Sequence, residues 1–125
     1  MSLLDDLDIA ILSFVSDFPN STITSCAKEL YNPQETEVLQ KKDTMLRHRY
    51  KALVSEELLI KSAEERKSKY KINADRIKFG NAKDLGTKKI IPDYIKNDFC
   101  IAIFMDDGFV VKSLDKLEQK WNSSN

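Results

Sequence analysis

Residues 24–72 constrain the fold more than any other stretch, because one periodicity gives way to another inside them. Leu39, Met45, Leu46, Tyr50 and Leu53 recur at three-, four- and seven-residue spacing, which puts them on one stripe of a helix. The other faces of that helix carry Lys41, Lys42, Arg47, His48, Arg49 and Lys51. Immediately afterwards Leu58-Leu59-Ile60-Lys61-Ser62 reads as a short strand, and residues 63–67 form a polar turn. A second strand follows, Ser68-Lys69-Tyr70-Lys71-Ile72-Asn73, in which Tyr70 and Ile72 alternate with Lys69 and Lys71. A register slip of one residue would bury two lysines, so Tyr70 and Ile72 are expected to face inward. The chain here is a helix with a basic hairpin at its end.

The upstream residues supply two more helices. Leu4, Leu7, Ile11, Phe14, Val15 and Phe18 share a face, which predicts a first helix over roughly residues 3–17, ended by Phe18-Pro19-Asn20. Asp5, Asp6 and Asp8 fall in its first turns, where negative charge complements the helix dipole. Asn20-Ser21-Thr22 makes a turn, and Thr24 caps a short helix over 25–31 with Cys26, Ala27 and Leu30 inward. Asn32 then serves as N-cap of the long helix, with Pro33 its first residue and Glu35 the returning carboxylate of a capping box. That helix either runs unbroken to about residue 57 or breaks near Lys42-Asp43, with Asp43 capping a separate recognition helix.

This order of elements, together with Leu53 and Glu56-Glu57-Leu58-Leu59-Ile60-Lys61, resembles the winged helix-turn-helix of the MarR-like, ArsR-like and PadR-like repressors. The resemblance covers about residues 5–73. The usual pattern there is a leucine, several polar residues, a glycine, two aliphatic residues and a basic one. Glu57 stands where the glycine is usual, and glycine supplies a left-handed helix stop at no steric cost, so a differently shaped helix end is expected. The resemblance implies an α+β, mainly α fold. Residues 1–75 would form the winged helix-turn-helix, three helices plus a β-hairpin wing, and 76–125 a small C-terminal hairpin/helix extension. It further implies sequence-specific binding of double-stranded DNA and a role in transcription regulation rather than catalysis, with no cofactor and no metal.

Charge distribution agrees with that implication, although the net charge is zero. Residues 1–23 hold four acids and no Lys or Arg, whereas 24–72 hold eleven basic and eight acidic side chains. Five Lys or Arg lie between Lys41 and Lys51 against Asp43 alone, and four lie between Arg66 and Lys71 against none. Phosphate responds to the local field, so these clusters outweigh the total. The expected DNA contacts are Lys41, Lys42, Thr44, Arg47, His48 and Lys51 on the helix, and Arg66, Lys67 and Lys69 on the wing. Arg and His reach base edges while Lys meets phosphate, so Arg47 is expected to read a base. The competing readings are a solvated helix face and edge-strand lysines that prevent strand addition. A winged-helix module that binds protein instead of DNA is the corresponding alternative function.

The C-terminal third reads as a polar connector, 74–89, in which Ile77, Phe79 and Leu85 are too few to make a core. Two strands follow, 99–105 and 109–111, joined by Asp106-Asp107-Gly108 as a hairpin turn. Ser113 then caps a last helix with Leu114, Leu117 and Trp121 on one stripe. The apolar surplus in 92–121 predicts a homodimer through this segment, matching a two-fold DNA site. Ile101 to Gly108 also resembles the helix and terminal acid of LAGLIDADG homing endonucleases, which implies a metal carboxylate at Asp106 or Asp107 and a nuclease relic as a further alternative. Against it, 17 residues after Gly108 are too few for the saddle-shaped sheet of that family. Cys26 and Cys100 read as buried free thiols of a reducing compartment, and no signal peptide or membrane-length apolar run is present, so a cytoplasmic protein is expected.

Overall fold

Three helices and two small antiparallel sheets give an α+β chain. The computed structural model describes residues 4–62, 67–85, 95, 97–106 and 108–115. No helix among the described residues is long and apolar enough to cross a membrane. The chain divides after Asn73 into two units, each with its own interior.

In the first unit, α1 (Asp6–Asp17) starts at Asp5, whose carboxylate accepts the Asp8 N–H at 3.0 Å while the Asp8 carboxylate accepts the Asp5 N–H at 3.2 Å. The two acids therefore close a capping box. Ile9, Ile11, Leu12 and Val15 are completely buried. Each such side chain contributes roughly 1.5–3 kcal/mol by leaving water.

The second helix, α2 (Ile23–Tyr31), is capped two residues earlier than expected. Thr22 takes the extended conformation and pairs with Ser25 in a second capping box, whereas the Thr24 hydroxyl donates to the Asp43 carboxylate. Starting at Thr22 puts Ile23 at the first helical position and buries it. Asn32 ends α2 instead of starting the next helix. It sits in the left-handed region at φ +44°, which asparagine tolerates, and its N–H donates to the Lys28 carbonyl.

The third helix, α3 (Thr36–Ser55), begins after Glu35, which makes no side-chain capping bond, so the Asn32-Pro33-Glu35 start is not found. It runs unbroken through Asp43, and Leu46, Tyr50 and Leu53 form its buried stripe. Its end has the geometry usual for glycine even though the residue is Glu57, at φ +63°. The Glu57 N–H donates to the Val54 carbonyl and the Leu58 N–H to that of Leu53. These are the two bonds of a Schellman stop, with Leu53 and Leu58 both buried at its base. The expected difference in shape is absent; the glutamate adopts the strained conformation instead.

Strands β1 (Leu59–Lys61) and β2 (Tyr70–Ile72) then pair antiparallel, Leu59 opposite Ile72 and Lys61 opposite Tyr70. Tyr70 is buried, Ile72 half-buried and Lys71 exposed, the alternation the residue pattern predicts. The Tyr70 ring meets Tyr50 edge-on at 4.7 Å, which fixes the hairpin against α3. Ser21 bridges to Tyr70 on the other side, so the turn before α2 joins the hairpin.

The second unit corrects the expectation of a structureless connector. Strand β3 (Ile77–Asn81) pairs with β4 (Phe99–Met105), which pairs with β5 (Gly108–Ser113). Ala82, Leu85, Cys100 and Ala102 form a cluster with half-buried Phe104 and Val111 against it. Three apolar residues in 74–89 suffice because their partners come from β4 across the ladder. Ser113 belongs to β5, and its hydroxyl donates to the Asp98 carboxylate at 2.7 Å. The helix expected beyond it lies outside the described residues.

Candidate nucleic-acid interface

At 3.6 residues per turn, Leu46, Tyr50 and Leu53 fix which side of α3 is inward, and the opposite side follows from the sequence. Lys41, Thr44, Arg47, His48 and Lys51 fall on that opposite side within an arc of roughly 120°, and all five are exposed. Thr44 turns its hydroxyl back to the Gln40 carbonyl at 3.0 Å. Lys42 is displaced from the group: it lies on the flank with its ammonium 4.4 Å from the centre of the Tyr31 ring, in cation–π contact. Five of the six helix residues expected to share a face do so.

The acids thought to be lacking around these cations come partly from elsewhere in the chain. Asp43 accepts from Arg47 Nε at 2.7 Å one turn along the helix. Arg49, on the flank, donates to Asp5 at 2.7 Å and to Asp8 at 3.2 Å, so the α1 acids tie the two helices together besides capping α1. Burial alone would raise the Asp5 carboxyl, but the Arg49 bond and the Asp8 N–H hold it below its ordinary value. Burial does prevail at Asp8 and keeps its carboxyl above the ordinary value. Arg49 is held protonated more firmly by Asp5. Behind α3, burial pushes the Cys26 thiol up to about 12, and burial raises Tyr50 also, so both stay neutral at physiological pH.

On the hairpin, Lys67 is exposed and Lys69 half-buried. Arg66 lies outside the described residues, as does the tip of the turn. A cleft of about 180 Å³ joins the two groups of cations: Arg47 from α3 and Lys67 before β2 line it together with Thr22, Ile23, Thr24 and Ser68. The sequence reading missed Thr24 and Ser68 as site residues. The readable signal was Asp43, four residues before Arg47, an acid placed to hold one basic side chain still.

The second unit offers little of this kind. The run Ile101 to Met105 is a strand, so the helix of the endonuclease motif has no counterpart here. Asp106 is exposed and pairs with Arg76 at 3.1 Å; Asp107 lies outside the described residues. No group of three His, Cys, Asp or Glu side chains that could hold a metal occurs among the described residues. Both cysteines are free and buried. No known protein family, curated protein or solved structure matches the chain.

Proposed function

We propose that the first unit is a winged helix-turn-helix that binds double-stranded DNA and regulates transcription, with α3 in the major groove and the β1–β2 hairpin on flanking DNA. The observation that carries this reading is the exposed face of α3. Lys41, Thr44, Arg47, His48 and Lys51 share it, and no acid of α1 reaches any of them among the described residues. A merely solvated helix would intersperse its charges; here the outer face carries one acid, Glu37 in the first turn, and Asp43, Asp5 and Asp8 pair with cations from its flank and rear. Support also comes from the hairpin, which begins within a few residues of the end of α3 and is fastened to it by the Tyr50–Tyr70 contact.

Self-association through residues 92–121 belongs to the same proposal, on a reduced basis. Ile101 and Ile103 are completely buried within one chain, so among the described residues the surplus rests on Phe99, 49% exposed, and on the half-buried Phe104, Phe109, Val110 and Leu114; Leu117 and Trp121 lie outside the described residues. Sedimentation of the full chain at high micromolar concentration decides this point, a monomer ending the dimer proposal.

The function itself is tested by selecting genomic DNA fragments at two salt concentrations. Enrichment of a common duplex sequence, with affinity that falls steeply as salt rises, is the expected result. Weak binding with no sequence enrichment at either concentration ends the DNA reading and moves the protein-interaction reading ahead of it.

A further inference from the structure

We propose that the cleft between α2, α3 and the approach to β2 binds a phosphoryl group, and that Arg47 is there to hold a phosphate and not to read a base. This rests on the DNA reading only if the phosphate is a backbone phosphodiester; the terminal phosphate of a small molecule has the same chemistry.

The argument starts from Arg47. Its Nε edge is taken by one Asp43 oxygen, and the other Asp43 oxygen accepts the Thr24 hydroxyl. Both oxygens of the Asp43 carboxylate are therefore engaged. The Nη edge of the guanidinium has no acceptor among the described residues, yet the Nε contact restricts where it can point. A guanidinium oriented in this way presents parallel N–H donors matched to two oxygens of one phosphate.

Lys67 brings a second cation to the same cleft from a different part of the chain. Among the described residues Arg47 and Lys67 against Asp43 leave one positive charge, enough to favour an anion over a neutral ligand. Ile23 and Thr24 open α2, and their N–H groups have no acceptor within the helix, since the first turn leaves its donors unpaired. Hydroxyls of Thr22 and Ser68 complete a polar wall. Space is not limiting: about 180 Å³ holds several waters, and hence a phosphate with part of its shell.

The test follows amide and Arg47 Nε–H resonances of the isotope-labelled full chain during two titrations. One uses inorganic phosphate, the other a mixed-sequence duplex without terminal phosphates. Thr24, Arg47 and Ser68 signals should move in at least one titration. Arg47→Gln and Lys67→Gln should each weaken that response by roughly tenfold. Both side chains are exposed, so the variants should fold, and unchanged amide signals of α1 and of Tyr50 and Leu53, buried in the same unit, check that they do. Movement with duplex alone assigns the phosphodiester, and movement saturating with free phosphate assigns a small phosphorylated ligand. Duplex that shifts Lys41 and His48 but leaves the cleft signals still overturns this proposal while sparing DNA binding. Phosphate that shifts the cleft while duplex shifts nothing has the reverse meaning. A second reading comes from the fragment selection: Arg47→Gln should weaken every sequence about equally, and a changed sequence preference would return Arg47 to base reading.

Discussion

The first unit packs long side chains between helices, whereas the second divides its β4 residues, Ile101 and Ile103 alternating with the small Cys100 and Ala102. Around α1 and α3 the interior is Ile9, Ile11, Leu12, Leu46, Tyr50 and Leu53; the cluster beside β4 is Ala82, Leu85, Cys100 and Ala102. Helices about 8–10 Å apart need bulky residues to fill the space between their axes, while at the cluster beside the 3₁₀ turn Ala82, Cys100 and Ala102 are completely buried with Leu85, Phe104 and Val111 around them. The two units should accordingly fail to opposite insults. The helical interior is vulnerable to lost volume, the cluster at Cys100 and Ala102 to added volume.

The largest expected effect is in the first unit. Leu46→Ala should destabilise it by about 2–5 kcal/mol, read from denaturant unfolding by helical circular dichroism. In the second unit the sensitive change is enlargement: Ala102→Leu should cost about 1–3 kcal/mol, followed by hydrogen exchange of the β4 amides. If Ala102→Leu is neutral, the cluster is loosely packed and the contrast fails.

The comparison also applies to charge. Replacing Lys41 and Lys51 by alanine should lower the slope of log duplex affinity against log salt by about two units, at roughly 0.9 per phosphate contact. The same change at Lys78 and Lys112 should leave it alone. Equal loss at both pairs would mean that net charge, and not the α3 face, attracts the duplex.

Smaller effects probe how α3 is held. Arg49→Met should cost at most about 1 kcal/mol, because the guanidinium is partly exposed to solvent. Its informative readout is titration: with the cation gone, the Asp5 and Asp8 carboxyl pKa values should both rise, as followed by carboxyl carbon shifts. The sign for stability differs between them. Asp5, held low, stabilises the fold near neutral pH and loses that contribution as pH falls through its folded value; Asp8, held high, favours the fold on the acid side and loses that advantage as pH rises through its folded value. The smallest effect is a gain. Glu57→Gly should stabilise by about 0.5–1 kcal/mol, the left-handed strain relieved less the extra chain entropy of glycine, seen as a rise in Tm.

What could be read in advance follows from how local each cause is. The buried stripe of α3 and the inward Tyr70 come from periodicity within a few residues, so the sequence suffices to place them. Caps depend on which of several candidates wins. Thr22 and Thr24 are equally good in isolation, and the contest is decided by Asp43, 19 residues on, which takes the Thr24 hydroxyl. Strand β3 was missed for a related reason: Ile77-Lys78-Phe79-Gly80-Asn81 has little apolar content until it is laid beside Ile101 and Ile103. Among the expected site residues, the five that share the outer face of α3 needed only helical geometry. The same geometry puts Lys42 about 100° round from Lys41, on the flank where it meets the Tyr31 ring, and the cleft was invisible because its lining comes from three separate elements.

The pairing of Arg49 with acids of α1 has a consequence for a chain whose charges sum to zero. Asp5, Asp8 and Asp43 lie at the rear and flank of α3 and, Glu37 apart, its front is cationic. The first unit, with twelve acids against eleven basic side chains in residues 1–73, therefore has a dipole moment large beside its small net charge. Far from a polyanion such a body feels almost no pull. Close to one it feels a torque, which turns the cationic face forward before any contact forms. Encounters would then be limited by rotation more than by approach, and added salt would slow productive capture by blurring orientation at short range.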